Sequence, residues 1–135
     1  MSSFSSIDIS ASGLFAQRTR LDAIANNIAN VNTTRTDTGG PYKKQEVVFR
    51  SRTADDGTTA GVDVEEVVES QAPSRMIHDP SNPDANSEGM VAMPNVNIVE
   101  EMVDMVSATR AYEANVQAIQ AAKSMASKAL ELGRA

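Results

Sequence analysis

Cysteine is absent, which excludes disulfides, thiol nucleophiles and thiolate metal sites. Tryptophan is absent too, and only five aromatic residues occur: Phe4, Phe15, Phe49, Tyr42 and Tyr112. A large globular core draws on big aromatic side chains, so an elongated, thinly packed protein is expected. One histidine, His78, is too few for a His-rich zinc site. No apolar run approaches ~20 residues, so no membrane span is expected. Residues 1–6 lack the basic start and apolar centre of a cleavable secretory signal. If the protein leaves the cytoplasm, another route is expected. Bases are outnumbered 12 to 18, for a net charge of −6. That balance argues against nucleic acid, whose phosphates need Lys and Arg, and against an anionic membrane surface.

The 135 residues suffice for one domain with an appendage. They divide into three zones: residues 1–32, 33–96 and 97–135. The outer zones are nearly neutral and free of Pro. The middle zone holds all five Pro, five of the seven Gly and most of the net acidity.

Both outer zones repeat every seven residues. In the first, Ile7, Leu14, Leu21 and Ile28 occupy one position, and Ser10, Gln17, Ile24 and Val31 its partner. This predicts a helix over about residues 5–32 with a heptad seam. Gly13 weakens it by ~1 kcal/mol relative to Ala. In the last zone, Ile98, Met102, Met105, Thr109, Tyr112, Val116, Ile119, Lys123, Ala126 and Leu130 alternate steps of four and three. Asn97 and Glu100 resemble a capping box, and Gly133 marks a stop. The predicted helix covers about residues 97–132.

The middle zone reads as short strands and turns. Residues 43–49 and 62–68 are predicted strands, with a bulge at Val67 and Val68 and a loop over 55–61. Four prolines punctuate residues 71–96, where only the short strands 75–78 and 90–93 fit.

A narrow heptad stripe suits a coiled-coil seam better than a broad core. The expected fold is therefore mainly α with a small β region. Residues 1–32 and 97–135 pair as an antiparallel coiled coil, and residues 33–96 form a β-hairpin-containing lobe. Ala25, Ala29, Val99, Val106, Ala122 and Met125 fall off this seam, so one copy is not expected to satisfy its own helices. Other candidates read more simply. His78-Asp79 is read as a surface pair, and Asp55-Asp56-Gly57 as a turn without the ligands of a calcium loop. Asp63, Glu65, Glu66 and Glu69 are read as a solvated strand face, and Met90, Met93, Met102 and Met105 as core or interface filling.

The segment Ala25-Asn26-Asn27-Ile28-Ala29-Asn30, followed by Thr33 and Thr34, resembles the N-terminal signature of bacterial flagellar rod and hook proteins. Residues 93–105 (MPNVNIVEEMVDM) resemble a proximal-rod branch of that axial family, and residues 110–116 (RAYEANV) match its C-terminal pattern. Residues 70–73 (SQAP) and 79–83 (DPSNP) fit the middle of that branch. One departure is the stretch TDTGGPYK at 36–43, which is longer than the Thr-x-Gly-Tyr-Lys of many relatives.

The resemblance implies a structural, non-enzymatic subunit with no cofactor. It would belong to the hollow drive shaft that crosses the periplasm, transmits torque and carries the export channel. It also implies export by the flagellar type III apparatus without signal cleavage. Implied partners are copies of the chain, the rod proteins FlgB, FlgF and FlgG, and the base adaptor FliE; no nucleic acid and no membrane span are implied. Periodicity and resemblance together put the subunit interface on Leu14, Leu21, Ile24, Asn26, Asn27, Ile28, Asn30 and Val31, and on Ile98, Met102, Met105, Thr109, Tyr112, Val116, Ile119 and Leu130. Asn is a poor interior helix residue, so Asn26, Asn27, Asn30 and Asn32 are expected to bond across subunits and fix register. The alternative for these amides is a fraying, solvated helix end. The alternative for the whole chain is a coiled-coil adaptor or export chaperone acting as a small oligomer.

Overall fold

The computed structural model describes residues 3–134, with side chains from residue 5 onward. The outer zone limits at residues 1 and 135 lie outside the described residues. Six elements follow in order: α1 (Ser3–Ala29), β1 (Gln45–Thr53), β2 (Thr59–Glu69), β3 (Arg75–His78), β4 (Met90–Met93) and α2 (Ile98–Arg134). The fold is mainly helical with a small β region between the two helices, as expected. Among the described residues no helix is long and apolar enough to cross a membrane.

Local chemistry sets the helix ends. The Asn97 side-chain carbonyl accepts from the Val99 amide at 3.1 Å, an N-cap that starts α2. Glu100 and Glu101 sit in its first turn, where the helix dipole favours acids. α1 ends at Ala29, three residues before its expected limit. There the Asn30 amide group donates to the Asn26 carbonyl at 2.9 Å and competes with the helix ladder. The Thr33 hydroxyl then donates to Asn30 Oδ1 at 3.1 Å.

The helices run antiparallel. Gly13 faces Asn115, Arg20 pairs with Asp104 at 3.5 Å, and Asn27 bonds Glu101 at 3.0 Å. In that register the described start of α1 lies opposite about residue 125, and α2 runs past it for roughly 14 Å at 1.5 Å per residue. The packed faces are built from small side chains: Ala16, Ala23, Ala108 and Ala122 are buried. A Cβ on Gly13 would stand 2.8 Å from Asn115 Oδ1, so glycine permits the close crossing there.

This corrects half of the expected seam on α2. The inward line runs through Glu101, Ala108, Asn115 and Ala122, and Met105, Tyr112, Ile119 and Ala126 of the expected seam flank it and are half-buried. Met102, Thr109 and Lys123 of that seam lie one residue on from the inward line, about 100° round, and are exposed. Small and polar residues bring the backbones closer than large apolar ones would, and that decides the rotation.

β1 and β2 form an antiparallel hairpin, longer than expected and lying against α1. Val48 pairs with Glu66 and Phe49 with Val64, which leaves Glu65 as the extra residue of a bulge. The bulge thus falls just before the expected Val67-Val68 step. Gly61 has φ +128°, and a Cβ there would lie 2.4 Å from Ser12 Oγ. That oxygen accepts from the Val62 amide at 3.1 Å and donates to the Ile9 carbonyl at 2.6 Å, tying strand to helix. β3 and β4 fall on the expected residues and pair antiparallel, Arg75 opposite Met93 and His78 opposite Met90. The loop between them is pinned by Asp84, which accepts from the Thr34 hydroxyl at 2.7 Å and from Arg35. Those two donors hold its carboxyl below the usual range.

Gly61→Ala combines a strained backbone with a collision against Ser12. It should cost about 1–3 kcal/mol in thermal unfolding, and the Val62 amide should lose its hydrogen-exchange protection.

Candidate assembly interface

Two features distinguish this chain from an ordinary helical hairpin: a buried polar hub inside, and an apolar face outside. The hub begins with Asn27, which is 1% exposed. Its side-chain nitrogen donates to the Gln45 carbonyl at 2.9 Å and to Glu101 Oε2 at 3.0 Å. Its side-chain oxygen accepts from the Tyr42 hydroxyl at 2.9 Å and from the Gln45 amide at 2.8 Å. Both donors and both acceptor positions of the amide are used. Glu101, also 1% exposed, meets Lys44 Nζ at 3.0 Å through its other oxygen. The Lys44 amide in turn donates to Asn95 Oδ1 at 2.8 Å, and Asn95 donates to the Ala72 carbonyl at 3.0 Å. One connected network thus ties α1, the start of β1, both ends of the 70–96 segment and α2.

The electrostatics follow from this geometry. Burial works to lower the Lys44 pKa, but the hydrogen bond and charge of Glu101 outweigh it and leave it raised. Burial raises the Tyr42 pKa, and the negative charges of Glu101 and Glu69 add to this.

The outside is the reverse of the inside. Val99, Met102, Val103 and Val106 are all exposed, Val99 at 65%. Their i, i+3, i+4, i+7 spacing places them on one stripe. Counting around the helix centres that stripe about 150° from the line that meets α1, with Met102 at its near edge. Farther along α2, Met125, Leu130 and Leu132 are exposed as well, Leu132 at 79%. Phe15 on α1 is also exposed.

The expected interface residues divide accordingly. Ile24 is buried in this chain. Leu14, Leu21, Ile28, Asn30, Val31, Met105, Tyr112, Val116 and Ile119 are half-buried. Asn26, Ile98, Met102, Thr109 and Leu130 are exposed. Asn27 lies inside the chain with its amide fully engaged, so the hydrogen bonds expected of it across subunits are made internally. Asn30 bonds its own helix end. Sequence reading missed Glu101, Lys44, Tyr42 and Gln45, and no local pattern marks them. It singled out Val99, Val106 and Met125 as apolar residues off the seam, and they are exposed here; Val103 it missed, although its helical spacing was available to be found. On the acidic strand Asp63 accepts from Arg52 Nε at 2.9 Å, and Glu65 lies 3.8 Å from Arg50.

Terminal helices with small residues inside and large apolar ones outside, around a β-ribbon lobe, define a structural protein of the assembling kind. Comparison with known proteins gives the class a family. Residues 7–35 match the family model described as "Flagella basal body rod protein", and residues 87–132 the one described as "Flagellar basal body rod FlgEFG protein C-terminal". The chain is 45% identical to the flagellar basal-body rod protein FlgC of Borreliella burgdorferi, over 98% of both chains. It is 45% identical to that of Escherichia coli O157:H7, over 94% of this chain and 95% of the relative. It is 41% identical to that of Bacillus subtilis, over 99% and 100%. The chain belongs to the FlgC family of flagellar basal-body rod proteins and is a structural subunit of that rod.

Lys44→Met should cost about 3–5 kcal/mol in denaturant unfolding, because it strands a buried carboxylate. Lys44→Met combined with Glu101→Gln should recover much of that loss. The raised pKa values of Lys44 and Tyr42 give stability that is full below their ordinary values, near 10, and is lost as pH rises through the folded values. Stability should therefore fall above about pH 10, and Lys44→Met should flatten that fall.

Proposed function

We propose that the chain completes its helical packing against neighbouring subunits in a hollow tube. The tube is the drive shaft that crosses the periplasm, transmits torque and surrounds the export channel. The observation that carries this reading is the stripe of Val99, Met102, Val103 and Val106 on the side of α2 opposite α1. Four large apolar side chains in one row are costly to leave in water. A tube of laterally packed helices covers them on every subunit. The half-buried seam residues from Leu14 to Val31 and from Met105 to Ile119 form the rest of the interface. Neighbours are copies of the chain, FlgB, FlgF, FlgG and the base adaptor FliE. Delivery is by the flagellar type III export apparatus, without signal cleavage.

An adaptor or export chaperone of small, closed oligomeric state is the competing function. Hydrogen exchange separates the two. In the rod reading, the end of α2 beyond about residue 125 exchanges quickly in the dilute chain and gains protection only in assembled rods. An adaptor would show full protection at once in its small oligomer.

Val106→Asp should leave the thermal stability of the isolated chain within about 0.5 kcal/mol, because more than half of the residue is exposed there. Basal bodies isolated from the mutant strain should lack a completed rod, and swimming should stop. Normal rods in that mutant would remove the outer stripe from the interface.

A further inference from the structure

Both β-ribbons leave an edge open. In an antiparallel ladder, pairs that exchange hydrogen bonds alternate with pairs whose N–H and C=O point outward. The Asp79 amide donates to the Gly89 carbonyl at 2.9 Å, one step beyond the His78–Met90 pair. Ile77 therefore bonds to Val91, while Met76 and His78 turn their backbone groups away from β4. On the other ribbon the Ser70 amide donates to the Lys44 carbonyl at 2.8 Å, one step beyond the Gln45–Glu69 pair. Val67 and Glu69 therefore turn theirs away from β1. Their neighbours agree: both backbone groups of Gln45 meet Asn27 at one edge of the ribbon, and the Glu69 carbonyl accepts from the Gln71 side chain at the other. α1 meets β2 at Val62 and β1 at Gln45, and Val67 is left exposed.

The two edges are complementary. Met76 and Ile77 on β3 are exposed, as is Val67 on β2. Arg75 on β3 and Glu66 and Glu69 on β2 are in no ion pair among the described residues. No helix or other strand lies against β3 or β4, and a two-stranded ribbon by itself is marginal in water. β3 also carries no Pro, Lys or bulge of the kind that guards an edge.

We propose that the β2 edge of one copy adds to the β3 edge of a second copy, joining two ribbons into one four-stranded sheet. The inference rests on the rod-subunit reading, which brings copies side by side, and adds a contact between lobes that the terminal helices do not make. The occupant is a second copy because this chain carries both halves with opposite charge. The strands run antiparallel with Val67 opposite Met76. Those two outward residues then exchange backbone hydrogen bonds, and their apolar side chains meet. Arg75 lies opposite Val68 and diagonal to Glu66 on the same face. Two β2 edges would instead set acid against acid. Within one chain β2 and β3 are out of contact, so the pairing is between copies.

The absence of cysteine makes the contact testable by disulfide trapping. Val67→Cys and Met76→Cys are placed in separate full-length chains, which are mixed under mild oxidation at concentrations where copies associate. Residues of a bonded pair stand about 5.5 Å apart at Cα, within disulfide reach. The expected product is the mixed disulfide, formed faster than either self-pair and faster than Val67→Cys with Glu88→Cys, an exposed loop position. Arg75→Glu in the Met76→Cys chain should slow trapping roughly two- to fivefold, and Glu66→Arg in the other chain should restore it. Hydrogen exchange reads the same contact without cysteines. The Val67 and Met76 amides should exchange quickly in the dilute chain and slowly in assembled rods. Met76→Pro removes an outward N–H, so the dilute chain should keep its circular dichroism while its Val67 amide stays fast on assembly. Self-pairs in excess, equal trapping at Glu88→Cys, or amides that stay fast in parent rods would overturn the proposal. Protection in rods without the mixed disulfide would assign the edges to a different protein and overturn the copy-to-copy contact. Basal bodies from a strain with both cysteines on one chain should give ladders of this chain on oxidation. If the chain is present there and gives no ladder, the sheet contact is refuted while the rod reading stands. If the chain is missing from basal bodies of the parent strain, the rod reading falls, and the mixed disulfide in solution still decides the contact.

Discussion

The contact between Asn27 and Glu101 is the constraint on which the arrangement of this molecule depends. Burying a carboxylate is costly, and its pairing with Lys44 does no more than offset the desolvation. Its gain is orientation. A slide of α2 by one residue moves a side chain by about 1.5 Å along the axis and turns it by about 100°, and Glu101 would lose both Asn27 and Lys44. Asn27 is equally exacting, because it holds Tyr42 and both backbone groups of Gln45 in addition to Glu101. Helix pairing and the entry of the β-ribbon are thereby set by one shared geometry.

Around that hub the helices divide their labour unusually. The intramolecular seam uses Gly13, Ala16, Ala23, Ala108 and Ala122, which allow close approach but bury little apolar area each. Val99, Met102, Val103 and Val106 of α2 remain outside. A chain packed this way has the correct register without a deep core of its own, and in the proposed function the remaining burial comes from association. For a rod subunit that is mechanically sound. Side chains kept for contacts between subunits would stiffen the assembly rather than the monomer.

The β-ribbon follows the same logic on a smaller scale. Ser12 and Gly61 form a snap between helix and hairpin, in which the missing Cβ of one makes room for the hydroxyl of the other. Asp84 performs the matching task for the second hairpin by holding Thr34 and Arg35 just past the end of α1. Both links reach about fifty residues along the chain, so the lobe is fastened to the first helix at two separate places.

Features governed by neighbours in the chain were legible in the sequence. The Asn97 cap, the strands at 75–78 and 90–93 between prolines and the pairing of the two ends all depend on local spacing and turn chemistry. The rotation of α2 was not legible, because its apolar residues obey two stripes at once. The heptad reading joined Met105, Tyr112 and Ile119, which lie beside the inward line, to Met102 and Thr109, which lie away from it. Nor was the role of Asn27, whose partners lie as far as 74 residues away. By itself the sequence determined which segments are helix, ribbon and turn, since those are decided over a few residues. Only the tertiary structure decided which side of each helix turns inward, because that rests on how closely two backbones approach and where one buried carboxylate finds its partners.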